Sequence, residues 1–281
     1  MKTPKTLALG TGILGIMSLL LVSNTTVHAA DEDELRKAAQ NPVASMISIP
    51  FQNNTFFGVG PDNDTVNVLN IQPVIPFQLN QEWNLISRTI VPLLYVPDLV
   101  SGLPELPAGI SGGDTFGLGD INFSFYFSPA KPGKAIWGVG PSLTIPTATD
   151  EILGTRKWSA GPAGVILLMP KPFVVGALVR QLFSFAGNDD RADVSQLLIQ
   201  PFVNYNLPKG WYLVSSPAIT NNWEGASGER WNVPIGGGGG RLFKLGKFPI
   251  NAQTQAFYHI ERPRFGPDWA LRFQVQFLFP K

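Results

Sequence analysis

The chain has 281 residues and no cysteine, so neither disulfides nor thiolate chemistry contributes. Its net charge of +1 excludes the basic footprint of a nucleic-acid-binding protein. Charged residues are 15% of the chain, against about 25% in ordinary soluble domains, while aromatics reach 11% with seven Trp; that is little charge for a water-covered surface.

Lys2 and Lys5 precede an apolar stretch from Leu7 to Val22, and Val27-His28-Ala29 offers a small-residue cleavage site before Ala30. The run is short for a membrane anchor, so 1–29 reads as an export signal peptide. Asp31 to Gln40 reads as one short helix. Acids lead, bases follow, and Asn41-Pro42 ends it, which complements the helix dipole. So short and charged a helix has little apolar surface for docking, and it is expected to hang free rather than to plug anything. Residues 30–45 are assigned to this appendage and 46–281 to a single domain.

From Met46 onward the pattern is alternation at period two, the signature of strands with one apolar and one polar face. Ile47, Ile49 and Phe51 open the series. Leu69, Ile71, Ile75, Phe77 and Leu79 alternate with Asn70, Gln72 and Gln78, and Trp83 to Tyr95 follows. Ile121, Phe123, Phe125 and Phe127 alternate with Asp120, Asn122 and Ser124, ahead of Trp137, Val139, Leu143 and Ile145. Segments near 158–169 and 173–185 are weaker in parity. Leu197, Ile199, Val203 and Tyr205 alternate with Gln196, Gln200 and Asn204; Trp211–Trp223 and Trp231–Phe243 come next. Ile250 to Ile260 alternates with Asn251, Gln253, Gln255 and His259. In the last segment Leu271, Phe273, Val275, Phe277 and Phe279 oppose Arg272, Gln274 and Gln276.

These are about twelve strands, each near the ~10 residues that a tilted membrane strand needs. Short connections alternate with longer ones rich in acids and Gly, the longest from Val96 to Phe116. Trp83, Trp137 and Trp211 follow short turns. Trp158, Trp231 and Trp269 follow long loops, and Trp223 precedes one. Seven Trp at strand ends and none in mid-strand describe two interfacial belts rather than a buried core. The expected fold is all-β: a transmembrane antiparallel up-and-down β-barrel of about twelve strands with a short N-terminal helix, in the outer membrane of a Gram-negative bacterium. Apolar faces then meet lipid, polar faces line a lumen, and both termini and the short turns face the periplasm. Pro50, Pro73, Pro76, Pro92, Pro141, Pro201, Pro217 and Pro234 fall inside proposed strands and remove ladder donors, so bends or gaps are expected there.

The residues that carry chemistry are few. Gly117-Leu-Gly119 and Gly138-Val-Gly140 lack a third Gly and a following helix, and Gly236–Gly240 lacks Lys-Ser/Thr, so no nucleotide or other cofactor is indicated. The Gly236–Gly240 run reads as a closely packed strand; its functional alternative is a weak point through which an apolar solute leaves sideways. No transition-metal cluster exists, and Asp62-Asn-Asp64 and Asp189-Asp190 read as solvated loop acids, with divalent bridging to lipopolysaccharide the alternative. No catalytic residue is assigned. Polar parity places Arg88, Asp120, Arg180, Gln196, Gln200, Gln253, Gln255, His259, Glu261 and Arg272 on the lumen face, as solute contacts or as a structural network.

Val68-Leu-Asn-Ile-Gln-Pro-Val-Ile-Pro-Phe77, Gly117-Leu-Gly-Asp-Ile-Asn122, Ile145-Pro-Thr-Ala-Thr149, Lys157-Trp-Ser-Ala-Gly-Pro162 and Gln200-Pro-Phe-Val-Asn-Tyr-Asn-Leu-Pro208 resemble the outer-membrane family linked to meta-pathway phenol degradation, some members of which carry the label neuromedin U. The resemblance implies a barrel that passes hydrophobic or aromatic solutes, and it brings no site residues. The expected function is passive passage of such solutes through a narrow polar lumen. Two alternatives stay open: a lipid-modifying enzyme built on His259, and a structural or adhesion barrel acting through its loops, chiefly 96–116. Expected partners are outer-membrane lipid and lipopolysaccharide, a small-molecule solute, and the barrel-assembly machinery, which would read the aromatic end at Phe279. The oligomeric state is left open.

Overall fold

The computed structural model describes residues 29–97, 114–246 and 248–279. Helix α1 (Ala29–Gln40) leads into β1 (Ile47–Val59), β2 (Asp64–Ile71), β3 (Val74–Gln78), β4 (Trp83–Val96), β5 (Thr115–Leu118), β6 (Ile121–Pro129) and β7 (Ala135–Ile145). A 3-10 turn (Glu151–Leu153) intervenes before β8 (Lys157–Leu168), β9 (Phe173–Gly187), β10 (Ser195–Asn206), β11 (Trp211–Ser215), β12 (Ile219–Asn222), β13 (Trp231–Leu245), β14 (Phe248–Glu261) and β15 (Trp269–Phe279). Every pairing is antiparallel between chain neighbours, and β1 closes on β15 from Ile47↔Phe279 to Phe57↔Trp269. Three pairs of segments, β2/β3, β5/β6 and β11/β12, are single wall strands with an interruption. The wall is therefore a closed barrel of 12 strands.

Proline explains most of the interruptions. Pro73 sits in the gap between β2 and β3, and Pro217 in the gap between β11 and β12. Prolines on flanking strands still accept at the breaks: Gln72 N–H donates to Pro50 O beside the β2/β3 gap, and Gly119 N–H to Pro92 O in the β5/β6 gap, which holds no proline, each at 2.9 Å. Pro201 lies in the matching lapse of the β10–β11/β12 ladder, between Val203↔Ser215 and Ile199↔Ile219. Pro234 marks the register shift of β13 against β14. A residue without an N–H cannot complete a ladder, and here the strand gives way rather than the barrel.

The outer face is apolar along its length, with Phe77, Val139, Ile166, Phe183, Leu213, Ile235 and Tyr258 among the most exposed side chains. The Trp residues gather at both rims. Trp83 meets Trp137 edge-on at 5.9 Å at the short-turn end, Trp223 meets Trp231 at 6.3 Å at the loop end, and Phe57 stacks on Trp269 at 4.0 Å. Arg272 and Gln276 of β15 are buried inside, as its alternation requires.

The interior departs from expectation in one respect. β8 and β9 point Val165, Leu167, Val174, Leu178 and Leu182 inward, which is why their parity is weak: both of their faces are apolar. With Val74, Ile86, Tyr126 and Phe202 most of these form a buried cluster near the turn end. The lumen is thus polar on one side and apolar on the other, not polar throughout.

Candidate functional site: the lumen and its two closures

Above the N-terminal segment lies a cavity of about 160 Å³. The wall on β14, β15, β1 and β2 is carboxamide: Gln52, Gln72, Gln253, Gln274 and Gln276, with Asn251. The wall on β9, β10 and β11 sets Leu178, Phe202 and Val214 among Gln200 and Asn204, and Val74 sits beside Arg88. Arg88 supplies the charge and donates from Nη2 to Gln72 Oε1 at 2.6 Å. An engineered apolar cavity of ~150 Å³ holds one benzene ring, so this space is of the right order for a monocyclic solute.

The floor of the cavity is the N-terminal segment, Ala39 to Pro42. The expectation that this helix hangs free is overturned. Leu35 packs on Leu242 and Leu278, with Ala39 and Met46 beside them. Val43 joins the apolar cluster of β3, β4 and β6, and Gln40 Nε2 donates to Asn206 Oδ1 at 2.9 Å. The helix alone offers little apolar surface, and Val43, Ala44 and Met46 just beyond it carry much of the docking. The segment lies inside the turn end of the lumen.

The loop between β7 and β8 folds into the other end. Ile152 and Leu153 are 2% and 1% exposed and fill the space between Val59, Val66, Val68, Leu94 and Val96. Burying two such side chains contributes about 1.5–3 kcal/mol each. Asp150 caps the 3-10 turn by accepting from Ile152 N–H at 3.1 Å. Asp120 latches both arms of the loop: its carboxylate accepts from Ala148 N–H at 3.2 Å, Thr155 N–H at 2.7 Å and Thr155 Oγ1 at 2.8 Å. Thr147 and Thr149 replace ladder bonds where β5 gives way to β6, accepting from Ile121 N–H and Leu118 N–H. A Cβ at Gly117 would strike Thr149 Oγ1, and one at Gly154 would strike Asp120 Oδ1. The segments Gly117–Asn122 and Ile145–Thr149, distant in sequence, are therefore one device that seats a loop in the barrel mouth. The loop on which the adhesion alternative chiefly rested, 96–116, falls largely on 98–113, outside the described residues.

The glycine run of β13 has its own explanation. Gly236, Gly238 and Gly240 face inward opposite Phe257, Gln255 and Gln253. With no side chains there, groups from other strands lie across β13. Tyr212 of β11 reaches over Gly240 to donate to Asn251 Oδ1 at 2.6 Å; a Cβ on Gly240 would collide with its ring. Gln255 of β14 reaches the other way and accepts from Ser216 N–H at 2.9 Å, while Arg272 of β15 donates to Ser216 O at 2.7 Å and to Asn54 Oδ1 at 2.9 Å. Ser216 lies in the β11/β12 break, where the ladder to β13 lapses between Val214↔Gly238 and Thr220↔Asn232. Gln255 and Arg272 thus satisfy from inside the backbone groups that the break leaves unpaired.

Of the ten lumen residues proposed from sequence, Arg88, Gln200 and Gln253 line the cavity. Gln255 and Arg272 adjoin it in the Ser216 network. Asp120 is the loop latch. Arg180 and Gln196 take inward parity on β9 and β10, paired with Leu198 and Asn222 respectively. Glu261 is exposed at the loop rim, where β14 ends and inward parity no longer confers burial. His259 is buried toward the loop end with Nδ1 2.6 Å from Asn232 Oδ1, its ring against Phe56 and its Nε2 without a partner. Among the described residues no hydroxyl bonds to this ring, and no group of three metal-ligating side chains occurs. Sequence reasoning did not select Tyr212, Phe202 or Leu178. Parity from Trp211 would have turned Tyr212 inward, whereas an inward Leu or Phe carries no signal of its own.

No protein-family model matches the chain, and no curated protein matches it. Among solved structures, an outer membrane channel from Pseudomonas putida F1 superposes with a TM-score of 0.61 at 15% identity, over 85% of this chain and 97% of that one. A monoaromatic hydrocarbon channel, CymD, gives 0.43 at 9% identity, over 86% and 91%. A FadL homologue from Pseudomonas aeruginosa gives 0.38 at 9%, over 86% and 93%. The first of these shows that the fold is that of an outer-membrane β-barrel.

Proposed function

We propose that this protein is an outer-membrane channel for small hydrophobic or aromatic solutes, held shut at rest by the β7–β8 loop on the outer side and by the N-terminal segment on the periplasmic side. The observation that carries the reading is the two-faced cavity between the two closures, carboxamide on one wall and Leu178, Phe202 and Val214 on the other. A wide water-filled pore needs no apolar wall, and a purely structural barrel needs no cavity. The resemblance of five segments to the phenol-degradation family supports an aromatic solute, and the shared fold of the Pseudomonas putida outer membrane channel agrees with passage rather than chemistry. His259 does not favour a lipid-modifying enzyme, because it faces inward, away from lipid, and has Asn232 as its polar partner. Lipid, lipopolysaccharide and the assembly machinery remain the expected partners of such a barrel.

The test is uptake by cells whose lipopolysaccharide leaflet limits entry. Expression of the barrel speeds accumulation of radiolabelled toluene or phenol and leaves that of a disaccharide unchanged. Equal accumulation with and without the barrel would overturn the reading.

A further inference from the structure

Arg88 and Arg272 are both inward-facing cations, and they are held differently. Arg272 is tied down on several sides: it bonds Asn54 and Ser216 and lies over the Phe257 ring at 4.9 Å. Arg88 has one hydrogen bond, to Gln72, and among the described residues no acid pairs with it. A guanidinium carries five donors in a planar fork, so most of this fork is left for something else. A cation at membrane depth without a counter-charge is costly, and such residues mark ligand paths. Arg88 is also, among the described residues, the one charged side chain lining the cavity, and Leu178, Phe202 and Val214 lie across the barrel from it.

We infer that the cavity is a binding site for small monocarboxylates with a compact apolar body, the carboxylate on Arg88 and the body against Leu178, Phe202 and Val214. The inference rests on the channel reading for its route and sharpens it to a preferred solute class. Three features select this ligand. A guanidinium fork matches a carboxylate with two parallel N–H···O bonds. A single positive charge balances a monoanion and under-balances a phosphate dianion. A volume of about 160 Å³ admits one ring or a short chain and excludes a long acyl chain. The neighbouring carboxamide of Gln72, already bonded to Arg88, offers an N–H to a second lone pair of the carboxylate without adding charge.

The experiment is a calorimetric titration of the purified, folded full-length barrel in neutral detergent with benzoate and with benzyl alcohol, its uncharged counterpart. At pH 7 benzoate binds about tenfold tighter or more, the scale of one charge-assisted contact. Arg88→Gln removes the difference by lowering benzoate affinity about tenfold or more, and Arg88→Lys restores part of it. In the unmodified protein the preference also fades as pH falls through the ligand's own pKa, a measurement that stands even if Arg88→Gln fails to refold. Equal binding of the two ligands, or a benzoate preference that survives Arg88→Gln, overturns the inference. Failure of neutral aromatics to enter cells while the benzoate preference holds would sink the channel reading alone; uptake of toluene with no benzoate preference would sink this inference alone.

Discussion

Replacing Asp120 with Ala should unlatch the outer closure. The carboxylate accepts three hydrogen bonds from the β7–β8 loop, two of them at 2.7 and 2.8 Å from Thr155. Asp120 is half-buried, so water replaces part of what is lost, and about 1 kcal/mol per bond is a fair figure rather than the larger one for dry sites. The sum of about 3 kcal/mol shifts the ratio of docked to undocked loop roughly a hundredfold. Ile152 and Leu153 still favour docking by about 1.5–3 kcal/mol each, so the variant should flicker rather than stand open. Single-channel recording in planar bilayers reads this directly: brief openings are rare in the unmodified barrel and frequent in Asp120→Ala. Asp120→Asn keeps one carbonyl acceptor and should fall between them. A refolded Asp120→Ala barrel with the unmodified trace would refute the latch.

The other closure predicts that Leu35→Asp, which puts a charge against Leu242 and Leu278, raises conductance without lowering barrel stability in denaturant. Gly238→Ala and Gly240→Val should impair folding, seen as loss of the heat-modifiable band on gels, because the new Cβ atoms meet the Thr254 carbonyl and the Tyr212 ring. Gly164→Ala, with 3.7 Å to its nearest neighbour, should be neutral by the same assay. Phe273→Arg on the lipid face should cost about 2–4 kcal/mol near the bilayer midplane, whereas Gln274→Arg on the lumen face should change conductance and leave stability intact. Equal effects at Phe273 and Gln274 would contradict the assignment of faces.

The barrel was legible because alternation is a local property. In the final strand, Arg272 and Gln276 inside against Phe273 and Val275 outside needed no knowledge of any other strand. The Trp belts were legible for the same reason, since a ring at a strand end declares its level in the membrane. What parity cannot carry is contact between residues remote in sequence. It placed Asp120 on the inner face, and only the folded chain shows that its partners are Ala148 and Thr155, so that it holds a loop rather than a solute. It counted the apolar residues of α1 and missed that Val43 and Met46, past its end, complete the docking surface. It read five glycines as close packing, and the reason, room for Tyr212 and Gln255 to cross β13, required three strands at once. The apolar half of the lumen was hidden because Leu178 and Phe202 look the same whether they face lipid or the interior.

The central claim is that a small aromatic solute occupies the lumen between the two closures. Crystals of the barrel soaked with bromobenzene test it most directly, since anomalous scattering distinguishes bromine from water and from protein atoms. The account predicts a bromine peak inside the cavity bounded by Gln72, Phe202 and Tyr212. Peaks confined to the lipid-facing wall, with the cavity holding only water, would contradict it.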